Sequence, residues 1–150
     1  MNASISMEDI SFSYSSKKVL EHFNLKIDPG KIYALIGSSG SGKTTTLRLM
    51  NGLLKPQAGS ITINGKKFDF ENSEKWRRSM GYSIQGAGLF PHMTIKENLS
   101  IIASKEGWDN KKIQQRIEEL CELVNLPKDK SFLNKKPRQI SGGQQQRVGK

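Results

Sequence analysis

Residues 37 to 44 read Gly-Ser-Ser-Gly-Ser-Gly-Lys-Thr, a complete G-x-x-x-x-G-K-[ST] pattern. Few stretches this short constrain a fold so tightly. Three glycines let the backbone curl closely without Cβ clashes. The apolar run Ile32-Tyr33-Ala34-Leu35-Ile36 ahead of it suits a buried strand, and Lys43 to Leu54 behind it suits a helix. In that strand, loop, helix order, the loop amides and the unpaired N–H groups of the first helical turn converge on one point. Such a point attracts an anion. Lys43 adds a positive charge there, and the Thr44 hydroxyl is a suitable ligand for Mg²⁺ beside phosphate. A plain Gly/Ser turn is the competing reading. From average glycine usage, a chance match is on the order of one in a few hundred chains of this size. The flanking strand and helix patterns tip the choice to a loop that binds a nucleoside triphosphate.

Composition narrows the setting. A chain of 150 residues suits one domain with a real core. No apolar stretch approaches the roughly 20 residues needed to span a bilayer. The N-terminal Met-Asn-Ala-Ser-Ile-Ser-Met-Glu carries an acid and no apolar core of a signal peptide. The single Cys121 excludes an internal disulfide and fits a reducing compartment, so a cytoplasmic setting is expected. Net charge is +10. More than half of the excess lies in residues 128–150, where Lys128, Lys130, Lys135, Lys136, Arg138, Arg147 and Lys150 face only Asp129. Such a run reads first as a solvated basic face.

The first third alternates as strands do. Ile5 and Met7, then Ile10, Phe12 and Tyr14, precede a polar turn at Ser15-Ser16-Lys17-Lys18. Phe23, Leu25 and Ile27 follow, closed by Asp28-Pro29-Gly30. Gly52 to Gly59 reads as a connector. Ile61 and Ile63 run into Asn64-Gly65, a strong two-residue hairpin signal, and Met80 to Ile84 reads as a further strand. From about residue 94 the pattern becomes helical. Ile113, Ile117, Leu120, Cys121 and Val124 form one face, with Asp109 or Asn110 as its cap. Cys121 on that face reads as a buried structural thiol, and Trp76 and Trp108 as packing residues.

A second motif carries a family resemblance. Residues 140 to 147, Ile-Ser-Gly-Gly-Gln-Gln-Gln-Arg, resemble the signature sequence of ABC-type ATPases, with Ile140 where leucine is usual. Gly81-Tyr82-Ser83-Ile84-Gln85 resembles the strand entering that family's Q-loop. The resemblance covers the chain from Tyr14 to Arg147. It implies an α/β P-loop NTPase fold with an N-terminal antiparallel β subdomain and a helical subdomain, lacking the C-terminal part of the core sheet. Residues 1–85 would hold the β subdomain with the loop's strand and helix. Residues 86–150 would hold the Q-loop, helical subdomain and signature. ATP and Mg²⁺ are the implied ligands. Gly37, Ser38, Ser39, Gly40, Ser41, Gly42, Lys43, Thr44 and Thr45 would hold the phosphates, with Thr44 and Gln85 at the metal and Gln85 near the attacking water. Ser141, Gly142, Gly143 and Gln144 would face the nucleotide of a second copy in a two-ATP sandwich. Tyr14 stands where the family stacks an aromatic on adenine. A core tyrosine is the alternative, and Phe12 is a competing candidate.

Gly88-Leu89-Phe90-Pro91-His92-Met93-Thr94-Ile95-Lys96-Glu97-Asn98-Leu99 resembles the region after the Q-loop in bacterial importers of amino acids and glycine betaine. His92 there reads as a loop residue. The implied function is the energy-coupling subunit of such an importer, bound to a transmembrane permease on the inner face of the membrane and serving a solute-binding protein indirectly. Two alternatives stand beside it. One is an inactive truncated remnant, because no apolar run ending in Asp-Glu follows the signature and the Walker B aspartate, catalytic glutamate and switch histidine are not found. The other is a soluble relative acting on nucleic acid or ribosomes. Against it, the stretch from Gln85 to Ser141 has room for a compact helical subdomain but not for a long arm.

Overall fold

The computed structural model describes residues 4–84 and 86–149, apart from the side chain of residue 75. The chain divides into two compact units, Met1–Tyr82 and Ser83–Lys150.

The first unit is built on an antiparallel sheet of β1 (Ile5–Tyr14), β2 (Lys17–Ile27), β3 (Ala58–Ile63) and β4 (Lys66–Lys67), in the order β2-β1-β3-β4. The sequence alternation changes parity between Met7 and Ile10, yet both are fully buried. A register shift in β1 at this point explains it. Asp9 takes a left-handed φ of 54°, His22 across the pair takes 49°, and the Asp9 N–H donates to Asn24 Oδ1 at 2.9 Å. The extra residue resets which face the following side chains meet. β3 comes so close here that a Cβ on Gly59, whose φ is +88°, would strike the Glu8 and Asp9 carbonyls. Asn64 and Gly65, with φ of 52° and 74°, make the expected tight hairpin between β3 and β4.

Met7, Ile10, Phe12, Leu20, Ile61 and Ile63 form the sheet's side of a core that Leu49 and Met50 of α1 (Lys43–Met50) cover. α1 is shorter than the sequence pattern predicts. It ends at Asn51 because Gly52 turns left-handed, and a Cβ there would overlap the Phe68 ring. A short helix, α2 (Ser73–Arg78), lies where no element is expected from sequence, with Trp76 packed against the same core.

Two expected strands are not formed. Residues 31–38 carry no strand, and Ile32 and Ile36 are 101% and 94% exposed. A buried parallel strand needs neighbours on both edges for its N–H and C=O groups. None of the four strands described pairs with this run. Residues 80–84 are likewise irregular, for the same lack of a pairing partner.

The second unit is helical: α3 (Ile95–Lys105), α4 (Asn110–Leu123), α5 (Lys130–Leu133), a 3₁₀ turn at Pro137–Gln139 and α6 (Gly142–Val148). Thr94 and Glu97 form a reciprocal capping box at the start of α3, and Asp109 caps α4 by accepting from the Lys112 N–H at 2.9 Å. Ile113, Ile117 and Cys121 are the buried stripe of α4, packing with Ile95, Leu126, Phe132, Leu133 and Val148. Burying one such isoleucine contributes about 1.5–3 kcal/mol. Burial pushes the Cys121 thiol above its ordinary pKa, so it serves as core. Trp108 packs on this core too, with the Lys112 ammonium 3.9 Å from its ring centroid.

Candidate functional site

α1 begins without help from its own sequence. Its N-cap, Gly42, sits at φ 90° and has no side chain to accept from the first turn, and that turn holds no acid. The first helical hydrogen bond runs from the Thr46 N–H to the Gly42 carbonyl at 2.8 Å. The N–H groups ahead of it therefore face outward with a helix dipole behind them. Helices α3, α4, α5 and α6 all carry side-chain caps. The short α2 also lacks a side-chain cap but carries Glu74 in its first turn, so α1 is the uncapped helix end with no acid beside it, open to an anion.

The loop wraps the Lys43 ammonium. Nζ donates to the Gly37 carbonyl at 2.8 Å and the Ser38 carbonyl at 2.7 Å, with Ser41 Oγ at 3.4 Å. Ser41 N–H closes the turn onto the Ser38 carbonyl at 3.3 Å. A cleft of about 580 Å³ opens beside it, lined by Ser39, Gly40, Gly42, Lys43, Thr44 and Thr45 from the loop and α1 and by Tyr14, Lys17 and Val19 from the β1–β2 hairpin. No carboxylate is among these residues. The Thr44 side chain is exposed in the cleft, its hydroxyl without a partner among the described residues, whereas Thr45 is buried.

Tyr14 and Phe12 separate cleanly. Phe12 is 8% exposed and belongs to the core; Tyr14 is 42% exposed and meets Phe12 edge-on at 4.9 Å. The Tyr14 hydroxyl and, second, the Tyr82 hydroxyl hold the pKa of the Arg48 guanidinium, further along α1, above the usual arginine value. Lys17 and Val19 were not singled out from sequence. Their signal was position, across a two-residue turn from Tyr14.

The signature residues lie in the helical unit. Ser141 Oγ accepts from the Gln144 N–H at 3.2 Å and Gln144 Oε1 accepts from the Ser141 N–H at 3.0 Å, so they cap α6 reciprocally. Gly142 and Gly143 are exposed. Gln85 lies outside the described residues. His92 sits in a turn, 6.0 Å from the Phe90 ring. Among the described residues no group of His, Cys, Asp or Glu is placed to hold a metal ion, and no helix is long and apolar enough to cross a membrane.

An open glycine-led helix end, a lysine-filled loop and an aromatic on the same cleft define a P-loop nucleotide-binding domain. Within that class the chain belongs to the ABC transporter family, whose model matches residues 20–149. It is 44% identical over 146 residues to the carnitine transport ATP-binding protein OpuCA of Listeria monocytogenes, covering 97% of this chain and 36% of that protein. It is 41% identical over 150 residues to the osmoprotectant import ATP-binding protein OsmV of Salmonella typhimurium, covering 97% of this chain and 39% of that protein. The chain thus spans little more than a third of these curated relatives. Among solved structures, a dimeric bacterial ABC transporter cassette aligns with a TM-score of 0.84 at 31% identity, covering 97% of this chain and 66% of that one. A Clostridium perfringens subunit described as part of an ABC transporter complex aligns with a TM-score of 0.83 at 25% identity, covering 99% of this chain and 60% of that one. The fold is part of the ABC ATPase fold.

Proposed function

We propose that the chain is the nucleotide-binding part of an ABC importer's energy-coupling subunit, in which ATP hydrolysis drives uptake of an osmoprotectant or, as the second solute class, an amino acid. The carrying observation is the cleft itself. One uncapped helix end, the embedded Lys43 and the half-exposed Tyr14 share it without any acid. Gly37 to Thr45 would hold the phosphates and Tyr14 would stack on adenine. Mg²⁺ fits as a guest of the phosphates. The free Thr44 hydroxyl offers it one hard oxygen ligand, and phosphate oxygens and water supply the rest. Gln85, by resemblance, would stand near metal and water. Ser141 to Gln144 would serve the nucleotide of a second copy, and the domain would divide at residue 85, with the Q-loop and helical subdomain following. The subunit would sit on the cytoplasmic face of the membrane against a permease, with a solute-binding protein acting through it.

The osmoprotectant assignment is supported by relatives named for carnitine, choline and glycine betaine transport. A chimera tests it: residues 1–150 replace the matching segment of the Listeria carnitine relative, and carnitine uptake is measured in cells. Uptake that disappears with Lys43→Ala supports the reading. A folded, membrane-associated chimera without uptake overturns it. A second reading, a remnant that binds nucleotide weakly without turnover, has one observation in its favour: no carboxylate lines the cleft.

A further inference from the structure

We propose that Lys17 is a second cationic ligand of the nucleotide's phosphates, acting from the β1–β2 hairpin while Lys43 acts from the loop. The inference rests on reading the cleft as the nucleotide site.

Lys17 is the first residue of β2, and its register partner in β1 is Tyr14, across the Ser15-Ser16 turn. A turn this short, with Ser15 at φ 50°, leaves the pair little freedom. Both residues line the cleft with Gly42, Lys43 and Thr44. Of the two lysines after the turn, only Lys17 lines the cleft, and their ammonium groups differ in their partners. The Lys18 ammonium is neutralised by Glu21 at 2.6 Å. The Lys17 ammonium has no hydrogen bond or ion pair among the described residues. Lys43 is bound too, but only to uncharged oxygens. The cleft therefore carries two positive charges and no counter-charge. A free ammonium at the rim of a concave site concentrates anions. A ligand with several negative charges near one another offsets both lysines at once; a nucleoside offsets neither. Lys17 thus raises the preference for triphosphate over diphosphate and over nucleoside.

The test is equilibrium titration of the 150-residue chain with ATP, ADP and adenosine, for the parent, Lys17→Gln, Lys17→Arg and Lys43→Ala. An exposed strand-end residue tolerates these changes, and circular dichroism checks the fold. Lys17→Gln is expected to weaken ATP about two- to five-fold at low salt, the range for a partly exposed charge pair. The loss should shrink near 1 M salt, where screening reaches about 3 Å. Lys17→Arg should bind ATP like the parent, and adenosine should be indifferent to all Lys17 changes. ATP affinity unchanged by Lys17→Gln, alongside loss in Lys43→Ala, overturns the role of Lys17 and leaves the site intact. Equal weakening of ATP and adenosine also overturns it, because the effect is then one of shape. Failure of the parent to bind ATP overturns the site and this role together.

Discussion

The Lys43 ammonium donates to the Gly37 carbonyl at 2.8 Å, so the loop closes its own lysine onto its first glycine. The contact holds the loop curled, with the Ser41 amide closing the turn onto the Ser38 carbonyl. A triphosphate entering the cleft meets a positive charge already in place, and little ordering remains to be done. That is the economy of a preorganised anion site.

Removing the ammonium should therefore cost twice, in charge and in loop shape. Charge-assisted hydrogen bonds contribute roughly 1.5–3 kcal/mol each. Lys43→Ala is expected to weaken ATP by about one to two orders of magnitude on that basis. Calorimetric titration measures it, and unchanged affinity in a folded variant would sink the phosphate-loop reading.

Tyr14 supplies a ring and a hydroxyl with separate duties. The ring meets Phe12 at a near-perpendicular angle and lines the cleft, while the hydroxyl acts on the Arg48 guanidinium. Tyr14→Phe should keep most ATP affinity. Tyr14→Ala should weaken ATP more, by about two- to twelve-fold for a lost aromatic contact of roughly 0.5–1.5 kcal/mol. If both variants bind as the parent does, another residue holds the base.

What could be read from sequence was local. Asn64-Gly65 fixes its hairpin with two residues, and Asp109 caps its helix with one. Gly37 to Thr44 announces its own chemistry, since glycine spacing, lysine and helix start all lie within eight residues. Ile32 to Ile36 reads as a strand because it is apolar, but a strand is a relationship, and no described strand pairs with it. Lys17 was hidden for the opposite reason. Nothing in its residue type distinguishes it from Lys18; only the pairing with Tyr14 and the Lys18–Glu21 ion pair separate them.

The β-bulge carries a titratable pair. His22 Nδ1 and Asp9 Oδ1 are 2.6 Å apart, and the hydrogen bond and charge of Asp9 raise the His22 pKa. A raised folded-state pKa means the contribution is fully present below the unfolded histidine value, ~6.5, and is lost as pH rises through the higher folded value. NMR titration of the His22 ring should give a pKa above that of the Asp9→Asn variant. Identical titrations would remove the pair from any account of pH dependence.

The last prediction concerns turnover. Phosphoryl transfer needs little covalent chemistry from the protein; it depends on holding water, metal and phosphates in line. The cleft of this chain supplies amides, two lysines and the Thr44 hydroxyl, all of which bind charge. None of its lining residues can take a proton from water at neutral pH while keeping the metal in register, because no carboxylate or histidine is among them. Ser141 and Gln144 are engaged in capping α6 and bring no base. The 150 residues by themselves should therefore bind ATP without releasing phosphate at a rate above buffer. A steady-state phosphate-release assay on the purified chain decides it. Release that disappears with Lys43→Ala would place a working base within these residues and require a different account of the cleft.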